Sequence, residues 1–333
     1  MGHNCDYRDD ENGLFVCGFN PDDTTDLSVN VIRVADKDGR LLATVVNYPC
    51  HPTTLSWDNT LISPDYVGAL RETVEEATGV MCLFLLAPCG DIGPKYGFVG
   101  DVEVADRNGR QLAYAALSAL ESMPPAGTDY HYNGPVISGA TIGVWEYRSQ
   151  NQTRCSQSSQ FRHRRWTVPV SYRPELPTLE QVQQELERHL QEEATAREQQ
   201  NEQQARDARA LAERCRRSLE RIQPLPAGQH YPFELSLWQI GDAFWVAVEG
   251  EPYHSMQQEL HQRFPGNPVI VITLANGSRP GYIPRKQDYS KELYQVGIAV
   301  LQPGSLEMLT QEIAAQIDLW LDDPDERSSS SRG

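Results

Sequence analysis

Apolar residues fall at roughly every second position of LSVNVIRVAD, from Leu27 to Asp36. That period turns one face of an extended strand toward a core. The turn Lys37-Asp38-Gly39-Arg40 leads into LLATVVNYP, so the two runs read as a hairpin. After a loop from His51 to Pro64, the segment DYVGALRETVEEATG carries apolar residues at Val67, Leu70, Val74 and Ala77, the spacing of a helix. VMCLFLLA is apolar throughout and reads as a strand covered on both faces. A helix over DRNGRQLAYAALSALESM follows. Strand and helix in alternation give an α/β rhythm.

The middle of the chain breaks that rhythm. Strand-like ATIGVWEYR and the basic run FRHRRWTVPV precede a helical stretch from Thr178 to Ile222. Thr178-Leu179-Glu180-Gln181 has the form of a capping box. Leu179, Val182, Leu186 and Leu190 make one apolar stripe, and Ala208, Leu211, Cys215, Leu219 and Ile222 make another. AREQQNEQQAR between them has no apolar face, which predicts two helices packed as an antiparallel hairpin, with one long helix as the alternative. Either way the insertion reads as structural rather than as part of a site. Strands return in FELSLWQIG, AFWVAVEG and PVIVITLANG, with helices over EPYHSMQQELHQRF and LEMLTQEIAAQIDLWL. The expected fold is α/β: a mixed β-sheet core flanked by helices, in one domain over 1–323 with a helical insertion at 178–222. The Ser-rich charged tail, 324–333, is expected to be disordered.

Composition narrows the partners. With 39% apolar residues in 333, the chain can bury a real core. A net charge of -17 argues against general nucleic-acid binding and against an electrostatic hold on anionic lipid. No run of about 18 apolar residues is present, so no membrane span is expected. Seven cysteines, with no C-x-x-C pair, suit neither a disulfide scaffold nor a zinc ribbon. The N-terminal MGHNCDYRDDENG lacks an apolar signal segment, so a reducing, cytoplasmic location is expected.

Four strand-like runs end in loops that could carry chemistry. VVNYPC ends at His51, LFLLAPC at Gly90-Asp91, FWVAVEG at Glu251, and VIVITLANG in a loop reaching Tyr282. In α/β sheets ligands bind where strands end. His, Glu and Tyr together could coordinate a metal, although a phenolate is the rarer donor. Spacing alone does not link them, since no H-E-x-x-H is present; each can equally be a loop residue with its own hydrogen bonds.

NPDDTTDLSVNVIRVADKDGRLLATVVNYPCHPTTL followed by NTLISPDYVG resembles the catalytic-domain core of the neutral/alkaline non-lysosomal ceramidases. FLLAPCGDIGP, VAVEGEPY and LANGSRPGYIPRKQDYSKELYQVG resemble later segments of that family, in the same order, between about Asn20 and about Trp320. In this it resembles the shorter bacterial ceramidase-like proteins. The resemblance implies a hydrolase of an N-acyl amide bond, in ceramide or another lipid amide, that uses one Zn²⁺. His51, Glu251 and Tyr282 match three of the family's zinc ligands. It also implies backbone N–H groups near Gly90 that approach the oxyanion, with Asp91 beside them. Gly93 stands where the family carries a serine. The family's upstream His-x-His segment has no counterpart, His3 lies in a different context, and the C-terminal sandwich domain is missing. The chain thus reads as N-terminally truncated relative to the family, with the fourth zinc ligand absent. The alternative is a non-catalytic relative that binds a ligand or partner.

Four further readings complete the sequence picture. Cys89 is expected to be a buried thiol rather than a nucleophile. Asp65 and Asp91 read as helix caps or as groups that orient a ligand. His254, three residues after Glu251, is expected on a helix surface. Arg162, His163, Arg164, Arg165 and Trp166 read as a solvated strand face paired with carboxylates.

Overall fold

A computed structural model of the chain describes residues 1–23, 25 and 28–322. The expectations for Leu27 and for the tail 324–333 fall outside these residues. Strand β1 (Gly2–Asn4) leads to the small hairpin of β2 (Asp6–Asp9) and β3 (Leu14–Cys17). The predicted larger hairpin is present as β4 (Asn30–Ala35) and β5 (Leu41–Tyr48), turning at Gly39 with φ 82°. Helix α1 (Tyr66–Thr78) then crosses over so that β6 (Met81–Leu86) lies parallel to β5. Asp65 starts α1: its carboxylate accepts from the N–H of Tyr66 and from that of Leu55.

Short β7 (Ile92–Pro94) pairs with β1, and α2 (Val102–Glu121) packs against α1. The helices approach so closely at Gly109 that a Cβ there would stand 2.3 Å from the Tyr66 carbonyl oxygen. Val46, Tyr48, Leu70, Val74, Cys82 and Leu112 fill the space between the helices and the sheet. The opposite sheet face is open. Met81 is 58% and Leu83 44% exposed, so β6 is not covered on both faces as its composition suggested. Both helices lie on one side of this sheet, and alternate residues of the strand are left outside.

The second half begins with an exposed hairpin, β8 (Thr128–Ile137) and β9 (Thr141–Ser149), then a short α3 (Gln152–Ser158). β10 (Phe161–Ser171), the helices α4 (Leu179–Glu198) and α5 (Glu202–Ile222), and β11 (His230–Ile240) follow. β12 (Ala243–Val248), β13 (Glu251–Pro252), α6 (Ser255–Arg263), β14 (Val269–Ile272) and β15 (Tyr282–Ile283) lead to α7 (Tyr294–Ile298) and α8 (Ser305–Asp322). The main sheet has the order β10-β11-β12-β14, antiparallel except for the parallel pair β12 and β14. Tyr231, Phe233, Leu235 and Leu237 line one face of β11 at period two, against Met256 and Leu260 of α6 and Leu309 and Ile313 of α8. Each such fully buried side chain is worth roughly 1.5–3 kcal/mol.

The insertion is a two-helix hairpin, as its polar middle predicted, with its turn at Gln200 in the left-handed region (φ 56°). Thr178 and Gln181 form the capping box. The seam differs from the predicted stripes. Val182 and Leu186 meet Ala212, Cys215, Leu219 and Ile222, while Leu179, Leu190 and Leu211 stay exposed. Small Ala208 and Ala212 let the helices approach, which rotates the bulkier leucines out of the seam.

The two sheets meet at their strand ends. The Asn47 amide donates to the carbonyls of Leu85 (3.1 Å) and Val271 (3.0 Å), and the Thr273 N–H donates to Leu86 at 2.9 Å. Among the described residues no helix is long and apolar enough to cross a membrane.

Candidate metal centre at the strand ends

This junction gathers the loops that follow β5, β6, β12 and β14. His51 lies three residues beyond β5, anchored by its N–H to the Ile92 carbonyl at 3.0 Å. Glu251 follows Gly250, whose φ of 68° and whose Cβ position, 2.6 Å from the Gly281 carbonyl oxygen, require glycine. Glu251 and Tyr282 are then opposite one another in the parallel pair β13 and β15, with the Glu251 N–H donating to Gly281 at 2.9 Å. That register brings the Tyr282 hydroxyl toward the Glu251 carboxylate.

His51 Nε2 stands 3.5 Å from Glu251 Oε2, and the His51 ring is 5.9 Å from that of Tyr282. Nε2 is buried and has no hydrogen-bond partner among the described residues. An orphaned buried nitrogen is costly and calls for an explanation. Burial lowers the His51 pKa to about 4, against an opposing pull from Asp91, so the imidazole is neutral near pH 7 and presents a lone pair. Burial raises the Glu251 pKa, opposed by the Tyr282 hydrogen bond and by Arg221. Burial, and then the Glu251 charge, hold the Tyr282 phenol above its ordinary value.

These three donors suit zinc chemically. Two ligands at about 2.0–2.2 Å from a tetrahedral zinc stand roughly 3.3–3.6 Å apart, which accommodates the observed 3.5 Å. Among the described residues no group of three or more His, Cys, Asp and Glu gathers; the third donor here is a phenol.

A cavity of about 720 Å³ opens onto the cluster. His51, Glu251, Tyr282, Gly90 and Gly93 line it, with Trp57, Phe98 and Tyr294 as its aromatic wall. Arg217 lines it too, and Arg221 acts on Glu251. The helical hairpin therefore reaches the site, contrary to its expected structural role. Its polar face, rather than its apolar stripe, was the overlooked signal. A second cavity of about 700 Å³, bounded by Met256, Glu259 and Arg285, brings no comparable set of donors together.

Gly90 is forced by crowding: a Cβ there would lie 2.5 Å from the Glu251 carbonyl oxygen. Its N–H is committed to the Pro252 carbonyl at 3.0 Å, so that group faces β13 and not an incoming substrate, against the oxyanion role expected for it. Gly93 is different. A Cβ there would make ordinary contacts, 3.7 Å to Cys5 Cβ and 4.0 Å to Thr53 Oγ1.

Asp91 is fully buried behind this floor. It accepts from the His254 N–H at 2.8 Å and pairs with His254 Nδ1 at 2.6 Å. His254 is only 4% exposed, not on the surface. It sits at the start of α6 directly over a buried carboxylate that needs donors. Desolvation lowers its pKa, but the Asp91 charge and hydrogen bond outweigh this and raise it overall. Cys89 is buried, and desolvation pushes its thiol well above the ordinary range. His3 pairs with Gly93 across β1 and β7 and packs its ring edge-on to Phe19, outside the cavity lining.

In the basic run Arg165 pairs with the Glu234 carboxylate. Arg164 bonds Gln316, and His163 stacks on Trp238 at 4.8 Å.

No family model matches the chain, and no curated protein matches it. Among solved structures it is similar to neutral ceramidase from Pseudomonas aeruginosa, with a TM-score of 0.50 at 15% identity over 85% of this chain and 45% of that one. It is also similar to a ceramidase complexed with C2, with a TM-score of 0.49 at 14% identity over 88% of this chain and 48% of that one. The chain has a ceramidase-like fold, and it spans about 45% of the length of the Pseudomonas aeruginosa structure.

Proposed function

We propose that the chain is a ceramidase-like hydrolase that cleaves an N-acyl amide bond in a lipid amide, with one Zn²⁺ held by His51, Glu251 and Tyr282. The observation that carries this reading is the buried His51 Nε2, without a hydrogen bond and 3.5 Å from Glu251. Bound there, zinc would supply a Lewis acid for the amide carbonyl and a lowered pKa for the attacking water. His51 contributes a neutral nitrogen, fixed in direction by its backbone bond to Ile92. Glu251 contributes a carboxylate oxygen 3.5 Å from that nitrogen. Trp57, Phe98 and Tyr294 give an acyl chain an apolar wall and thin the water around the reacting bond.

The test is metal content and turnover on the purified full chain. About one zinc per chain is expected, lost in His51→Ala, together with hydrolysis of an N-acyl amide lipid that chelator stops. Metal retained in His51→Ala would show the ligand set to be wrong. Two observations favour a second reading, a non-catalytic ligand-binding relative: the Gly90 N–H is already bonded, and Gly93 offers no side chain. A chain that binds the amide lipid but never cleaves it, with or without zinc, would support that reading.

A further inference from the structure

We propose that Arg217, Arg221 and Arg279 form an anion subsite beside the candidate metal centre, so that the amide taken there carries a carboxylate or a phosphate on its amine half. The inference rests on the proposed amide chemistry and adds the charge class of its substrate.

Two of the three arginines come from the helical hairpin. Arg217 and Arg221 are four apart on α5 and share one face of it, away from the seam residues Cys215, Leu219 and Ile222. Two like charges at that spacing repel each other, a cost that a bridging anion removes. The third arginine arrives on a pinned loop between β14 and β15. The N–H groups of Leu274 and Ala275 donate to the Gly250 and Val248 carbonyls at 3.1 and 3.0 Å. The Gly281 N–H then donates to the Ser278 carbonyl at 2.8 Å, a tight turn with Arg279 at its corner.

The three side chains line a groove of about 280 Å³. Arg217 also lines the cavity of about 720 Å³ that holds His51, Glu251 and Tyr282, so the groove adjoins it. Arg221 passes over Gly281, the residue before Tyr282: a Cβ at Gly281 would stand 3.4 Å from both Cδ and Nε of Arg221.

The charge here reverses that of the chain. Asp and Glu number 46 against 29 Lys and Arg, yet in this groove three guanidinium groups meet one carboxylate, the exposed Glu220. Among the described residues none of the three arginines makes a side-chain hydrogen bond or ion pair, whereas the adjacent Arg216 pairs with Glu213. Guanidinium forks match the paired oxygens of a carboxylate or phosphate. The apolar wall of Trp57, Phe98 and Tyr294 suits an acyl chain, which leaves the groove to the amine half of the substrate.

The experiment uses the full chain stripped of metal, so that an anionic ligand cannot bind zinc directly. Calorimetric titration compares N-octanoylglycine, N-octanoylphosphoethanolamine and the uncharged N-octanoylethanolamine. At least one of the anions should bind at least about 10-fold tighter than the uncharged amide, and the margin should narrow as salt is raised. The tighter anion identifies carboxylate or phosphate as the group recognised. The double variant Arg217→Gln, Arg279→Gln should lose the margin and hold the uncharged amide within about 2-fold of wild type. Equal binding of charged and uncharged amides by the wild type, or a margin that survives the double variant, would overturn the proposal. The wild-type comparison decides even if the variant folds poorly. Binding needs no turnover, so the two readings fail separately. A chain without zinc or cleavage that still prefers the anion keeps the subsite, and a working amide hydrolase without that preference loses it.

Discussion

Two histidine–carboxylate pairs lie back to back at the sheet junction, and they are built to opposite specifications. Asp91 and His254 are almost fully buried and joined at 2.6 and 2.8 Å, and Asn4 also donates to the Asp91 carboxylate at 3.5 Å. His51 and Glu251 face a cavity at 3.5 Å, with a nitrogen left unpaired. The first pair locks the turn after β6 to the start of α6. The second presents its donors to the cavity. The contrast is the basis of the proposed ligand role of the His51 and Glu251 pair.

The sharpest way to break this contrast is to remove one member of each pair. Asp91→Ala or His254→Ala strands a buried polar partner and should cost about 3–5 kcal/mol in urea unfolding. His51→Ala should leave the metal-free protein within about 1 kcal/mol of wild type at pH 7, yet weaken zinc binding at least about 100-fold by competition titration. Equal destabilisation by the two substitutions would erase the distinction.

Acid should separate the pairs next. The folded pKa of His51, about 4, lies below its unfolded value, so the unfolded state binds more protons between about pH 6.5 and 4. Stability of the metal-free protein therefore falls on acidification through that window, on the order of 2 kcal/mol from this residue. Asp6, raised to about 6 by burial and then by Asp91, works in the opposite sense: its share falls as pH rises from about 4 to 6. Subtracting the His51→Ala curve from wild type removes the Asp6 contribution and should leave the His51 slope alone.

Two glycines give the smallest effects. Gly90→Ala forces a Cβ onto the Glu251 carbonyl and should cost about 1–3 kcal/mol by thermal unfolding. Gly93→Ser meets only ordinary contacts and should change stability by no more than about 0.5 kcal/mol. A rise in amide hydrolysis with Gly93→Ser would add a working hydroxyl beside the open pair.

The elements around the junction were legible because they are amphipathic. The hairpin of β4 and β5 and helix α1 show their period in sequence. The pairing of β1 with β7 was not legible, since three-residue strands carry no period and their partners lie some 90 positions away. Strand β8, TDYHYNGPVI, was hidden by polar residues and an internal Gly-Pro, which fit the irregular register after Tyr132. His254 was misplaced for a related reason. Its distance from Glu251 suggested a shared helix face, but α6 begins only at Ser255, so the face does not exist. The convergence of His51, Glu251 and Tyr282 rested on resemblance, because nothing local in the chain ties positions 51, 251 and 282 together.

The Asn47 amide, donating to a carbonyl in each sheet, has one further consequence. It belongs with Thr273 to a seam that joins two halves of the chain without any covalent help, while the peptide link between them runs through the exposed hairpin of β8 and β9. A protease that nicks this hairpin would leave two fragments that stay together, with His51 on one and Glu251 and Tyr282 on the other. The proposed metal site could thus be reconstituted from two separately expressed pieces, and zinc uptake would test their reunion.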